Sequence, residues 1–169
     1  MNYGTVHAIE KHPLARFYAK SNGIKVRKGE VESIPYGDRR FDCVTIIDVL
    51  YHKNVGSVAK SLKKANRMMK DNGILVLMDS ALPFLTGSHD TAVQGKRRFY
   101  LSSIKKSINN QGFYVLRSSY IFFTLFPLIF IKRFILSRII PQHESDVVDM
   151  GKTLNRILIF FLKIEALLL

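Results

Sequence analysis

Short apolar runs alternate along the chain with segments whose apolar residues recur at helical spacing. Three short apolar runs predict strands, and they cover Val6 to Ile9, Ile24 to Val26 and Ile74 to Met78. Cys43 to Val49 is a nearly continuous run of apolar and β-branched residues, which is typical of a strand buried on both faces. The pattern therefore predicts four strands in the first half of the chain.

The intervening segments carry start and stop signals of helices. Proline is tolerated in a first helical turn, and glycine commonly follows a helix end. Serine is a favoured residue at the start of a helix. The predicted elements are a helix from Pro13 to the stop at Asn22-Gly23, a helix from Val55 to Lys70 ended by Asn72-Gly73, a helix begun by Ser102 or Ser103 that runs to Gln111, a strand over Phe113 to Tyr120, a loop over Pro141 to Asp149 and a helix from Lys152 to Leu169.

Strands that alternate with helices predict an α/β fold, in which a parallel sheet carries helices on both faces. We expect one domain spanning residues 1–169. Ligands of such sheets bind at the carboxyl ends of the strands. The residues found there are Glu10, the loop at Gly29, the turn after Val49, and Asp79.

Composition adds a strong positive charge to this picture. The formal net charge is +13, and 47% of the residues are hydrophobic, so the chain has the material for a core and favours an anionic partner. From Thr91 through His143 there is no acidic residue. A solvated basic face and a functional basic surface are the two interpretations. The basic residues of this stretch are Lys96, Arg97, Arg98, Lys105, Lys106, Arg117, Lys132, Arg133 and Arg138.

Cys43 is the only cysteine, which excludes an intrachain disulfide. Its position in an apolar run predicts a buried structural thiol rather than a nucleophile. Cysteine and histidine residues do not follow zinc-site spacing, so no metal is expected. Residues 1–10 lack the pattern of a secretory signal, and we expect a cytoplasmic protein.

An apolar segment covers residues 118–140 and begins with SSYIFFTLFPLIFI. Pro127 interrupts it, and a spanning helix needs about 20 apolar residues, so a transmembrane helix is not expected. A strand that enters a buried helix explains the pattern. The alternative is contact with a lipid surface, which would make the protein peripheral at a membrane.

Three ordered motifs lie at Gly29 to Asp42, Val49 to His52 and Arg67 to Ile74, and together these resemble class I S-adenosylmethionine-dependent methyltransferases of the type 11 group. Gly29 to Asp42 resembles the family stretch GDAexLPFxDxSFD, and Val49 to His52 resembles the turn VLHH. Arg67 to Ile74 is similar to RVLKPGGxL. Farther along, His89-Asp90, Lys96 to Phe99 and Asn110 to Phe113 are similar to a subgroup with D…KRRY…aGF. The resemblance implies a Rossmann-like sheet and S-adenosyl-L-methionine as the methyl donor.

The resemblance also implies a role for each strand-end residue. Glu10 would accept hydrogen bonds from both ribose hydroxyls, as a carboxylate does. Its alternative is a charge at a helix N-terminus. Glu30 and Val31 would contact the adenine, where a plain loop acid is the alternative for Glu30. The residues that would wall the methionine half, with ordinary strand core as the alternative, are Asp48, Val49 and Leu50.

Residues 80–100 lie where the family places its substrate contacts. Lys96, Arg97 and Arg98 would grip phosphate or carboxylate groups of the acceptor, and a solvated basic turn is the alternative. His52 is a candidate base. Its alternatives are an exposed residue or a structural hydrogen bonder. Methyl transfer from a sulfonium also proceeds by positioning and desolvation without a base.

The family's glycine-rich loop of the DxGcGxG type, with the strand before it, does not match any segment of the chain. Gly4 is the only glycine before the first predicted strand, and the family's last antiparallel strand is also missing. By family topology the missing first strand lies centrally in the sheet. We therefore expect a fragment, the product of a split gene or a decayed relative.

Two functions from different classes follow. The first is methyl transfer from S-adenosylmethionine to a small or lipid-linked acceptor. The second is a non-catalytic basic protein that binds a membrane surface or another anionic partner. Nucleic-acid binding is disfavoured, because the aromatic residues lie in apolar runs rather than between basic ones.

Overall fold

The computed structural model describes residues 4–134 and 151–168. The predicted loop over Pro141 to Asp149 and the end of the 118–140 segment lie outside these residues, as does Leu169. The strands are β1 (His7–Glu10), β2 (Lys25–Lys28), β3 (Phe41–Ile47) and β4 (Met69–Met78). The helices are α1 (Pro13–Ser21), α2 (Val58–Met68), α3 (Ser88–Ala92), α4 (Leu101–Asn109), α5 (Phe126–Phe134) and α6 (Gly151–Leu168), and 3₁₀ turns cover Pro83–Leu85 and Phe123–Leu125.

The described residues form two compact units. The first takes its residues from 1–50, 54–79 and 107–113, and the second from 51–53, 80–106 and 114–169. The expectation of one domain over residues 1–169 stays a prediction, because compactness describes packing and not independent folding.

Strands β1 and β2 of the first unit pair in parallel, with Glu10 opposite Lys28. Helix α1 connects them. It begins at Pro13, as predicted, and Gly23 follows its end with φ at 77°, a left-handed conformation that glycine adopts without steric cost. The predictions of both strands and of this helix are confirmed within one or two residues.

Strands β3 and β4 also pair in parallel, and helix α2 connects them. Ser57 caps α2 by accepting a hydrogen bond from the Lys60 N–H at 3.1 Å, and Leu62 on its inner face is fully buried. The prediction that α2 continues to Lys70 is wrong. The helix ends at Met68 because the Arg39 and Arg40 amides bond the carbonyls of residues 67 and 68, at 2.9 and 2.8 Å, and β4 begins at once.

The two strand pairs are separate sheets in the order β1-β2 and β3-β4. Within the described residues, β1 and β3 share no backbone hydrogen bonds as sheet neighbours and are connected by side-chain contacts. The His7 ring lies 5.8 Å from the Phe41 ring, and Tyr36 packs edge-on against both. The fold is α/β and Rossmann-like, as predicted. The methyltransferases that the sequence resembles have a strand between β1 and β3. This is the strand for which the sequence analysis found no match.

The prediction that β3 is buried on both faces is wrong. Ile46 is 4% exposed, whereas Ile47 is 50% exposed. The Cys43 thiol is exposed, so its prediction as a buried residue is also wrong. Helix α2 covers only one face of the β3–β4 pair, since a single crossover helix packs on one side of its strands. On β4 the neighbours of Cys43 and Thr45 on the open face are Ile74 and Val76.

Two predictions for the second unit are also corrected. Residues 113–120 form no strand, and Tyr114 and Leu116 are 94% and 88% exposed. The apolar run after them does not enter a buried helix either. Phe122 has a left-handed backbone with φ at 61°, and α5 carries exposed side chains such as Leu128 and Phe130, which are 56% and 41% exposed.

Helix α6 confirms the prediction of a helix from Lys152, and α4 begins at Leu101, one or two residues before the predicted serines. Within residues 4–134 and 151–168, no helix has both the length and the apolar character needed to cross a bilayer.

Candidate functional site

Glu10 ends β1, where its carboxylate turns toward the start of α1. Its Oε1 atom accepts a hydrogen bond from the His12 backbone N–H at 2.6 Å. The Arg16 guanidinium donates to the Glu10 carbonyl at 3.0 Å and ties the helix to the strand end. An ionised carboxylate has about four acceptor positions. The bond to His12 therefore leaves Glu10 with acceptor capacity for a diol.

Glu30 lies two residues beyond β2, next to the end of β1. The Lys11 ammonium contacts its Oε1 atom at 2.8 Å, and this hydrogen bond and charge lower the pKa of Glu30. Val31 follows as a half-buried residue. Gly29 is needed for the turn, because an added Cβ would lie 2.6 Å from the Cδ atom of Pro35. The ends of β1 and β2 thus place Glu10 and Glu30 on neighbouring segments.

The turn after β3 is fixed by hydrogen bonds to β4 and to the residue that follows it. The Asp48 N–H donates to the Met78 carbonyl at 3.0 Å, and the backbone of Asp48 is left-handed with φ at 51°. The Leu50 N–H donates to the Asp79 carboxylate at 2.7 Å, and Leu50 itself is fully buried. Val49 is half-buried between them. The predicted wall residues of the cofactor therefore occupy one rigid turn.

Glu32 makes a long-range contact in the first unit that the sequence analysis did not predict. Its carboxylate accepts the Gly56 N–H at 2.9 Å and the Ser57 N–H at 3.1 Å. These amides precede α2, where a negative charge is favourable. Local sequence patterns do not detect this contact, because the partners are more than 20 residues apart in the chain.

In the second unit, the segment after Leu50 pairs with the basic segment. The Tyr51 carbonyl accepts the N–H groups of Lys96 and Arg97 at 2.9 and 3.3 Å, and His52 forms an antiparallel bridge with Gly95. Gly95 allows this approach, since an added Cβ would lie 3.1 Å from the Tyr51 ring. The structure therefore brings the candidate base next to two of the three predicted substrate-binding residues.

Arg98 points into the second unit instead. Its guanidinium donates to Asp90 Oδ1 from Nε at 2.9 Å, contacts the same oxygen from Nη2 at 2.8 Å, and donates to the Ala81 carbonyl at 2.9 Å. The two side chains are 13% and 9% exposed. The other Asp90 oxygen accepts the Gly87 N–H at 2.8 Å. These contacts give Arg98 a structural function, and its role in substrate binding stays a prediction.

Metal ligation has no candidate in the described part of the chain, where no group of three or more histidine, cysteine or acidic side chains is placed to hold an ion. The site as described consists of carboxylates, backbone amides and basic side chains. Such groups bind hydroxyls, amines and anions.

A family model described as a methyltransferase domain matches residues 2–77. None of the curated proteins matches the chain. Among solved structures, the chain is similar to a Thermotoga maritima S-adenosylmethionine-dependent methyltransferase described as a possible histamine N-methyltransferase. That match has 21% identity and a TM-score of 0.55, and covers 64% of this chain and 55% of that one.

Two further solved structures share the fold. A putative sarcosine dimethylglycine methyltransferase from Galdieria sulphuraria is 16% identical with a TM-score of 0.55, covering 94% of this chain and 63% of that one. The [4+2]-cyclase SpnF is 19% identical with a TM-score of 0.56, covering 69% and 44%. The chain thus spans about half the length of the first of these structures and less than two thirds of each.

Proposed function

We propose that the chain, of which residues 2–77 match a methyltransferase-domain family, contributes to methyl transfer from S-adenosylmethionine to a small or lipid-linked acceptor. The family supports methyl transfer in general. The acceptor class and the activity of this chain are the parts that we propose.

The observation that carries the proposal is the pair of acids at the ends of β1 and β2. Glu10 keeps acceptor capacity beside its bond to His12, so it suits the two ribose hydroxyls of S-adenosylmethionine. Glu30 lies nearby with Val31, a half-buried apolar residue that suits an adenine ring. The residues present therefore fit the adenosine half of the methyl donor. When bound, that donor supplies an activated methyl group, and the chain holds and orients it.

The rigid turn after β3 supports the same assignment. Asp79 anchors the Leu50 amide, and the Met78 carbonyl anchors the Asp48 amide. A turn that is already fixed lowers the entropic cost of binding a ligand, because the turn has little conformational freedom left to lose. We assign Asp48, Val49 and Leu50 to the wall of the methionine half on this ground.

Isothermal titration calorimetry with S-adenosylmethionine tests cofactor binding. We expect saturable binding, and we expect the Glu10→Gln variant to bind at least tenfold more weakly because it loses the charged acceptor. Asp38→Asn is the matched control, since Asp38 is an exposed acid of the same unit that pairs with Arg67 at 2.9 Å. Absence of binding up to about 1 mM cofactor would contradict the proposal. Equal loss in both variants would refute the role of Glu10.

The acceptor is proposed to be anionic, on the evidence of the basic segment beside His52. Lys96 and Arg97 are held there by the Tyr51 carbonyl, while the Arg98 side chain is engaged with Asp90. We assign acceptor contact to Lys96 and Arg97 because their backbone lies beside His52, and we assign a structural role to Arg98. His52, which bridges to Gly95 beside these residues, is the proposed base, although desolvation alone can drive methyl transfer.

Transfer of a labelled methyl group into lipid and water-soluble extracts tests this assignment. The Lys96→Ala, Arg97→Ala double variant should lower labelling at least tenfold and leave cofactor binding unchanged. The control is the Lys105→Ala, Lys106→Ala variant, which removes the same charge from α4. Equal losses of cofactor and acceptor binding would contradict the assignment. If neither cofactor binding nor labelling is detected, the non-catalytic basic protein is the better description.

A further inference from the structure

Helix α6 has an apolar stripe that faces away from its packed side. The stripe consists of Ile157, Phe160 and Ile164, which are 48%, 60% and 40% exposed. Their spacing of three and four residues places them on one side of the helix. Large apolar side chains rarely form such a continuous exposed row unless the row binds a partner.

The packed side of α6 is fixed by a buried carboxylate. Glu165 is 2% exposed and accepts the backbone N–H groups of Phe123 and Thr124 at 3.1 and 3.0 Å, and the Thr124 hydroxyl at 2.6 Å. Leu158 and Leu162 lie on the same side of the helix and are half-buried. Because Glu165 holds α6 against the turn before α5, the apolar stripe has a defined outward direction.

A basic stripe runs beside the apolar one. Lys152, Arg156 and Lys163 are all exposed and are spaced by four and seven residues, so they share a side of α6. At 100° per residue this stripe is adjacent to Phe160. The only acid of α6 is Glu165, whose carboxylate is buried.

Helix α5 extends the apolar surface in the same unit. Four consecutive residues of it are between 38% and 56% exposed, and the sequence has no acid from Thr91 through His143. The exposed residues are Leu128, Ile129, Phe130 and Ile131.

We propose that the α6 apolar stripe and the α6 basic stripe together dock the protein on an anionic phospholipid surface, with α6 lying in the plane of the interface. An apolar row beside lysine and arginine is the arrangement that binds between lipid headgroups and acyl chains. A second copy of the chain is a poor partner for this surface. It would bring two basic stripes and two chains of formal charge +13 together, and these would repel each other. The charges within α6 agree with an interfacial position. Docking does not depend on methyl transfer.

Flotation with vesicles tests the proposal. Wild-type protein should bind vesicles that contain about 30% phosphatidylserine, and much less protein should bind pure phosphatidylcholine. The Lys152→Gln, Arg156→Gln, Lys163→Gln variant should bind about 100-fold more weakly, at about fivefold for each charge. The Phe160→Ser, Ile164→Ser variant should lose at least tenfold.

The matched control removes three exposed lysines from the first unit, as Lys20→Gln, Lys60→Gln, Lys63→Gln. It has the same net charge as the α6 triple variant and should keep most of its binding. A loss equal to that of the α6 triple variant, or equal binding to neutral vesicles, would overturn the proposal. Sedimentation that shows a stable dimer broken by Phe160→Ser would assign the face to a second copy instead.

A fluorescent reporter gives a second measurement that does not depend on variants that lose binding. The chain has no tryptophan, so Phe160→Trp places a single reporter in the apolar stripe, and Phe17→Trp places one on α1, where residue 17 is 64% exposed. With anionic vesicles the emission at position 160 should shift to the blue and be quenched by brominated lipid. Unchanged emission at position 160, or an equal shift at position 17, would refute docking through α6.

Discussion

The contacts of Arg98 and Asp90 predict that this pair stabilises the second unit. In Arg98→Met the Asp90 carboxylate keeps the Gly87 amide but loses both contacts from the guanidinium, and the Ala81 carbonyl loses its donor. The pair is only 13% and 9% exposed, so water replaces these contacts poorly. Removing one partner of a buried pair costs about 3–5 kcal/mol. We expect a loss of that size in the free energy of unfolding.

Urea denaturation followed by far-ultraviolet circular dichroism at neutral pH measures this loss. Lys96→Met is the control, because it removes a neighbouring exposed charge and should change the free energy of unfolding by less than about 0.5 kcal/mol. The double variant Asp90→Asn, Arg98→Met should recover part of the loss, since no buried charge is left unpaired. If Arg98→Met costs less than about 1 kcal/mol, or the double variant is the sum of both single losses, the buried-pair interpretation is wrong.

Three smaller predictions follow from the first unit. Leu62→Ala should cost about 2–5 kcal/mol in urea denaturation because Leu62 is 0% exposed, whereas Val76→Thr at a 46% exposed position should cost less than about 0.5 kcal/mol; equal losses would contradict the open sheet face. Cys43 should react with Ellman's reagent in the folded protein nearly as fast as in urea, and labelling that needs denaturant would contradict its exposure. Lys11→Met should raise the pKa of Glu30 toward its ordinary 4.5 in a carbon NMR titration, and an unchanged midpoint would contradict the ion pair. Because that pKa is lowered in the folded protein, the pair stabilises it above the ordinary pKa, and the contribution is lost as the pH falls through the lowered value.

Elements that depend on neighbours in the chain were predictable from the sequence. The start of α1 at Pro13 and its end before Gly23 follow from residue types that have one preferred position in a helix. Strand β3 was recognisable from its β-branched residues for a similar reason. The positions of Glu10 and Glu30 at neighbouring strand ends follow directly from these elements.

Burial was less predictable, because it depends on what covers a face and not on the face itself. The residues from Cys43 onward are apolar on both sides of β3, but α2 packs on only one of them. The prediction of where α2 ends was wrong for a related reason. Asn72-Gly73 is a residue pair that often ends a helix. The N–H groups of Arg39 and Arg40 nevertheless bond the carbonyls of the last α2 residues first, so the helix ends before it reaches this pair.

Long-range contacts of carboxylates could also not be predicted from the sequence, and they bear on how the basic side chains are neutralised. The chain has 13 acidic residues, and three of the described ones direct their carboxylates to backbone amides more than 20 residues away: Glu32, Asp79 and Glu165. These partners are separated by up to 42 residues, so no local pattern marks them. Carboxylates bonded to backbone amides in this way are not engaged with basic side chains in those contacts, so the contacts do not neutralise lysines or arginines at short range. The formal charge of +13 therefore favours an anionic acceptor and an anionic membrane by the same physical cause.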